Sequence, residues 1–211
     1  MCTGSYTFVR SHSNNKSYPL ADWGFPILTA ISATGSVYAM SMIGNDQIPF
    51  VSILLGLGQA ADATRIDIPT PVVVESIACS NQWVAFIGVD QAKFTWFLAL
   101  YSVLHTALST TLGPNVTISF PPSHRTAYTS LPTSIALVAD RYLVVGMSES
   151  LSPYNIWIWR LDSGVPDLHT LRYATVPGSV TSISPQLLKG SRISIISGAS
   201  IASAFQLEDM F

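Results

Sequence analysis

The sequence predicts an all-β domain built from about four strand-rich repeats, arranged as a β-propeller. Three observations predict it. Charged residues supply only 10% of the 211-residue chain and apolar residues 48%, against a usual charged share of about 25%. Ser and Thr provide much of the remaining polarity. Hydroxyl and β-branched residues suit strands and turns, whereas exposed helix faces usually carry Glu, Lys and Arg. The second observation is an internal repeat, and the third is that the first three copies each contain four strand-like runs. Four strands in roughly fifty residues is the architecture of a propeller blade.

The repeat rests on two segments that align without a gap, Ser76 to Gly88 and Ser134 to Gly146. Both open with Ser-Ile-Ala, pass a polar turn, and run four apolar residues into a glycine. Looser copies begin at Ile31 and at Ser182-Ile183, so units start near Ile31, Ile77, Ile135 and Ile183. The first strand is expected at Ser-Ile-Ala. The second is the apolar run, whose lack of alternation marks a strand covered on both faces. Gly88 and Gly146 are expected at its end, where the chain turns.

Third strands follow at Pro49 to Leu55, Phe94 to Leu100, Asn155 to Leu161 (closed by the turn Asp162-Ser163-Gly164) and Ser203 to Leu207. Fourth strands alternate and stop at proline: Arg65 to Pro69, Val116 to Pro121 and Leu171 to Pro177. Alternation indicates a half-exposed outer strand, and proline halts a ladder by supplying no donor. Residues 1–211 read as a single domain in which 1–30 form an N-terminal arm.

Arg141 to Gly164, in the third copy, resembles a WD40-type blade, in which a buried strand ends in Gly and a later strand in Trp-Asp. Here Trp159 is followed by Arg160, and no Gly-His pair opens any copy. The family's side-chain network within each blade is therefore not carried over. The resemblance implies a propeller, and with it a platform for protein partners.

The fourth copy reaches Phe211 after its third strand, and Tyr6 to Arg10 lies before the first copy without a unit of its own. A strand from the opposite terminus commonly completes the last blade of a closed propeller, removing free edges. Tyr6–Arg10 is thus expected to pair with the strand around Phe205 and close a four-bladed ring. The rival is an open arc of a larger propeller.

Catalytic motifs are missing: no Gly-x-Ser-x-Gly, His-Glu-x-x-His, Walker loop or Gly-x-Gly-x-x-Gly occurs. Gly56-Leu57-Gly58 reads as a turn. His12, His105, His124 and His169 lie far apart without ligand spacing. Asp46, Asp62, Asp67 and Asp90 are the candidates for paired carboxylates. Asp46 and Asp90 each follow a glycine by two positions and are expected in corresponding turns on one rim, where turn capping is the simpler role. Cys2 and Cys79 cannot form a disulfide framework. Asn15-Lys16-Ser17 and Asn115-Val116-Thr117 match the glycosylation triplet no more often than a Ser/Thr-rich chain should. No cofactor or metal is expected.

Net charge is −2 and the ten basic residues are scattered, so a nucleic-acid footprint is absent. Phe94 to Phe120 and Trp23 to Asn45 carry no charge, which raises a membrane helix. Ser102, His105 and Thr106 interrupt the first stretch, and Gly24, Pro26 and Gly35 the second, so a soluble protein is expected. The N-terminus has no apolar run of signal-peptide kind, which leans toward an intracellular location.

Partner binding is assigned to His124, Arg125, Tyr128, Trp157 and Trp159. The first three lie in the insertion Ser109 to Thr133, which lengthens the second copy, and lengthened loops are where binding usually resides. Trp157 and Trp159 share one strand face by the period of two. They either pack between blades, the simpler reading, or line an exposed surface. The expected function is a non-enzymatic protein-interaction or scaffold module. The alternatives are a self-associating structural assembly protein, such as a viral coat or surface subunit, and a propeller enzyme acting at a central channel.

Overall fold

A computed structural model describes residues 8–10, 17–19, 24–57, 63–90, 95–106, 109–120, 131–148, 154–161, 170–185, 190–197 and 201–211. A hairpin of β1 (Phe8–Arg10) and β2 (Ser17–Pro19) precedes four antiparallel sheets, each a simple meander. The first sheet contains β3 (Phe25–Ile31), β4 (Val37–Ile43), β5 (Pro49–Leu55) and β6 (Thr64–Pro69). The second contains β7 (Val74–Cys79), β8 (Trp83–Asp90), β9 (Thr95–His105) and β10 (Thr110–Phe120). In the third are β11 (Pro132–Val138), β12 (Tyr142–Met147), β13 (Ile156–Arg160) and β14 (Arg172–Ala174). The fourth has three strands, β15 (Val180–Pro185), β16 (Arg192–Ser197) and β17 (Ile201–Gln206).

The first strands of successive sheets adjoin, β3 to β7, β7 to β11 and β11 to β15. The sheets therefore fan outward as propeller blades from a common inner side. Three apolar layers fill the wedges between them. Val37, Ile53, Phe86 and Phe97 lie between the first and second sheets. Trp83, Leu98, Leu143 and Trp159 lie between the second and third. Val144, Ile158, Ile183 and Ile195 lie between the third and fourth. Residues of β8 and β12 are buried almost without exception, while β6 alternates, as expected for inner and outer strands.

Every first strand carries a β-bulge at the same place. The register shifts between Pro26 and Leu28, Val74 and Ser76, Pro132 and Ser134, and Val180 and Ser182. The bulge defines the repeat better than the sequence does, making Thr29, and not Ile31, the counterpart of Ile77, Ile135 and Ile183. The gap-free alignment also slips within the second strand. Ser80 and Trp83 close a turn over Asn81 and Gln82, whereas Val138 pairs with Tyr142 across three residues. That extra residue moves the strand by one, so Ala85 faces the third sheet but Leu143 faces back toward the second. Gly88 and Gly146 lie inside their strands and not at turns. A side chain at Gly88 would strike the Phe97 ring, and one at Gly146 would strike Val180 of the next sheet.

Among the described residues the ring is not closed: β1 pairs with β2 and not with the strand around Phe205, and β17 is joined only to β16; Tyr6 and Thr7 lie outside the described residues. A local hairpin closes a short loop, which costs less chain entropy than a pairing between the two ends of the chain. No contact comparable to those between neighbouring blades joins β15 to β3 among the described residues. After β17 the chain forms a 3-10 turn, Leu207–Met210. Leu207 is buried against the fourth sheet, its N–H donating to the Ser191 carbonyl at 3.1 Å. Where described, the uncharged stretches are largely strands, Phe94 to Phe120 being mainly the long hairpin of β9 and β10, and no helix among the described residues is long and apolar enough to cross a membrane.

Candidate partner-binding face

On β13 the side chains alternate as the strand period requires. Ile156 and Ile158 pack toward the fourth sheet and Trp157 and Trp159 toward the second. Trp159, 1% exposed, belongs to the core between blades. Trp157 is half-buried, 5.7 Å from the Trp96 ring and 6.1 Å from Trp159 between ring centroids. Opposite it on β14 stands Tyr173, edge to face at 5.6 Å. Tyr154 lies 5.4 Å beyond Tyr173. Four rings therefore run from the core to the surface, ending in Tyr173 and Tyr154, which are 46% and 49% exposed.

Asn155 holds this row in place. Its buried side chain donates to the carbonyls of Val176 (2.6 Å) and Gly178 (2.7 Å) and accepts from the Val176 N–H (2.8 Å). The segment after β14 is thereby fastened beside Tyr154. On the other side of the third sheet the guanidinium carbons of Arg160 and Arg172 lie 5.6 and 5.5 Å from the Phe211 ring centre, with Tyr142 at 5.7 Å. These cation–π contacts fix the chain end over the third blade.

The ends of the first hairpins form a recess on the inner side, with walls from Ser32, Asn81, Leu137, Asp140 and Pro185. Its polar groups serve the fold. Asn81 Oδ1 accepts from the Thr34 hydroxyl (2.7 Å) and N–H (3.3 Å) of the first blade. Asp140 Oδ1 accepts from the Gln82 N–H at 3.2 Å, and the Asp140 carbonyl from Trp83 Nε1 at 3.0 Å. The turns of the second and third blades are thus each bonded to the turn before. His105 Nε2 lies 2.6 Å from the Asn81 carbonyl and Nδ1 3.1 Å from Thr110 Oγ1; Nε2 is the donor, because a carbonyl can only accept.

Asp46 and Asp90 both stand where a second strand passes to a third in neighbouring sheets, but not at equivalent positions. Asp46 caps its own turn, accepting from the Ile48 N–H at 3.1 Å, whereas Asp90 ends β8 opposite Thr95. The glycine offset misled because Gly88 lies inside its strand and Gly44 in a turn. Asp67 pairs with Arg65 at 2.7 Å. Among the described residues no three of His, Cys, Asp and Glu come together. Cys79 is a free thiol whose pKa burial pushes up to about 12, opposed by a backbone hydrogen bond from Ala39. His124, Arg125 and Tyr128 lie outside the described residues, as do Asp62, Cys2, Asn15, His12, His169 and the turn Asp162-Ser163-Gly164.

Of the sequence candidates, then, Trp159 is core and Trp157 is the inner part of a partly exposed row. Tyr154 and Tyr173 were not singled out. The available signal was strand alternation, which puts Tyr173 on the opposite face of β14 from Arg172 and Ala174.

No family model matches the chain, and no curated protein matches it significantly. Among solved structures the chain is similar to AztD from Citrobacter koseri. For the apo form the TM-score is 0.45 at 10% identity, covering 83% of this chain and 42% of that one. For a second structure of AztD it is 0.46 at 8% identity, covering 87% and 55%. The chain thus spans about half the length of that protein.

Proposed function

We propose that the chain is a non-enzymatic protein-interaction module, WD40-like in using a blade-built surface as its platform. The observation that carries this reading is the aromatic row ending in exposed Tyr173 and Tyr154. Tyr, Trp and Arg dominate the energetically important residues of protein interfaces. Here Tyr173 packs on Trp157 and Tyr154 on Tyr173, beside the Asn155 bonds, which limits the side-chain entropy lost when a partner covers them. The test is affinity capture followed by a binding titration with wild type and the Tyr154→Ala/Tyr173→Ala double variant. Both positions are exposed, so the fold should persist. The reading expects a partner whose affinity falls at least tenfold in the double variant; equal binding by both proteins contradicts it.

A second reading, self-association as a structural subunit, is favoured by a separate observation. The fourth sheet has three strands and the outer edge of β17 is unpaired among the described residues, a template for strand addition. Light scattering separates the two: a monomer at high concentration removes the second reading and leaves the first.

A further inference from the structure

The outer strands of the first three blades are each blunted against further pairing. β6 carries Arg65 and Asp67 and ends at Pro69. β10 is broken by a register shift between Leu112 and Asn115, where Gly113 and Pro114 stand. β14 has three residues, one of them Arg172. Charge, proline, a bulge and shortness are the devices by which native sheets keep their edges from recruiting strands. β17 has none of them. Its six residues, Ile201–Gln206, include no charge and no proline. Their pairing with β16 runs unbroken from Ser197↔Ile201 to Arg192↔Gln206. Among the described residues β16 is its one neighbour.

The other blades show what fits at this edge. In each, the third strand is covered by a single fourth strand running antiparallel to it. Such a strand turns apolar side chains into the wedge and leaves polar ones outside. Ile66 and Ile68 of β6 pack on the layer between the first and second sheets, while Thr64 and Asp67 are exposed. Val116 of β10 packs on the layer between the second and third, between exposed Asn115 and Thr117. On β17 the same division holds: Phe205 is half-buried against the layer between the third and fourth sheets, and Ala204 is exposed.

We propose that the outer edge of β17 accepts one extended segment of a partner protein as the fourth strand of the fourth blade. The segment runs antiparallel to β17 and alternates branched apolar residues with Ser or Thr. Its backbone supplies the hydrogen bonds, and its apolar side chains enter the wedge beside Phe205. The inference rests on the reading of the chain as an interaction module, but it uses a different sheet from Tyr154 and Tyr173.

The experiment titrates the full chain with the peptide Thr-Val-Thr-Ile-Thr-Val, flanked by lysines for solubility, and reads affinity by calorimetry and amide protection by NMR. The chain is expected to bind it as a monomer, and the outer amides of Ile201–Gln206 are expected to become protected. A peptide of the same composition with its apolar residues contiguous should bind at least tenfold more weakly. Methylating alternate peptide nitrogens separates the two edges of the added strand. One methylated set should lose at least tenfold in affinity and the other should bind unchanged. The Tyr154→Ala/Tyr173→Ala variant should bind the peptide as wild type does. The proposal is overturned if the alternating peptide does not bind, if the two methylated sets behave alike, or if protection appears away from β17. Outer amides already protected before peptide is added, in a monomer or a dimer, would overturn it as well. Failure of the peptide leaves the aromatic-row reading standing, whereas loss of peptide binding in the double tyrosine variant would move the site to that row.

Discussion

Trp157 and Trp159 stand two positions apart on one strand, yet only one of them is core. Trp159 fills the wedge between the second and third blades, so Trp159→Ala leaves a large cavity and should cost about 3–5 kcal/mol in a urea titration. Trp157 is half-buried and should cost less than half of that when truncated; equal losses would show that the row is core throughout. Cys79 gives a test that depends on pH. Its thiol stays neutral in the folded chain up to about 12, whereas the unfolded thiol ionises near 9.0. The native state therefore holds the proton more tightly. The contribution of the neutral thiol is complete below pH 9.0 and is lost progressively as pH rises toward 12. The stability difference between wild type and Cys79→Ala should be flat below pH 9.0 and change only above it. A change confined to lower pH would contradict the burial.

At the scale of elements, the turn between β11 and β12 carries a visible strain. Ala139 and Asp140 have φ of 52° and 53°, and the Arg141 N–H donates to Val138 at 3.0 Å. Positive φ at both central residues is the type I′ arrangement, for which Ala lacks the tolerance of Gly or Asn. Ala139→Gly should raise stability by about 0.5–1 kcal/mol in the same titration, and a loss would show that the turn differs. This turn also explains what the sequence hid. The second strands are apolar on both faces, so a one-residue slip leaves their hydrophobic pattern unchanged and no alternation betrays the register. Pro49 to Leu55 could be read to its true limits because polar turns bound it. The bulges could not be read, since no one residue type recurs at all four of Ile27, Glu75, Thr133 and Thr181.

For the whole molecule, the four-sheet fan was legible because each blade is a local meander and each repeats the same order of buried and alternating strands. Closure was not legible. Whether β1 meets β17 depends on backbone pairing between the two ends of the chain, and nothing in the side chains of either segment prefers that edge to a nearby one. The partner-binding row was legible only in part, because Tyr154 and Tyr173 meet through sheet pairing and not through sequence spacing. The open fan has a signature in backbone protection. In β5, β9 and β13 both neighbours supply hydrogen bonds, whereas β17 has one neighbour among the described residues. Residue-resolved amide exchange by NMR measures this directly. An open fourth blade predicts strong protection at every second amide of Ile201–Gln206, with the intervening amides exchanging freely, beside continuous protection through Val51–Leu55. Continuous protection through β17 would mean that a strand lies on its outer edge, and the unclosed fan would be wrong.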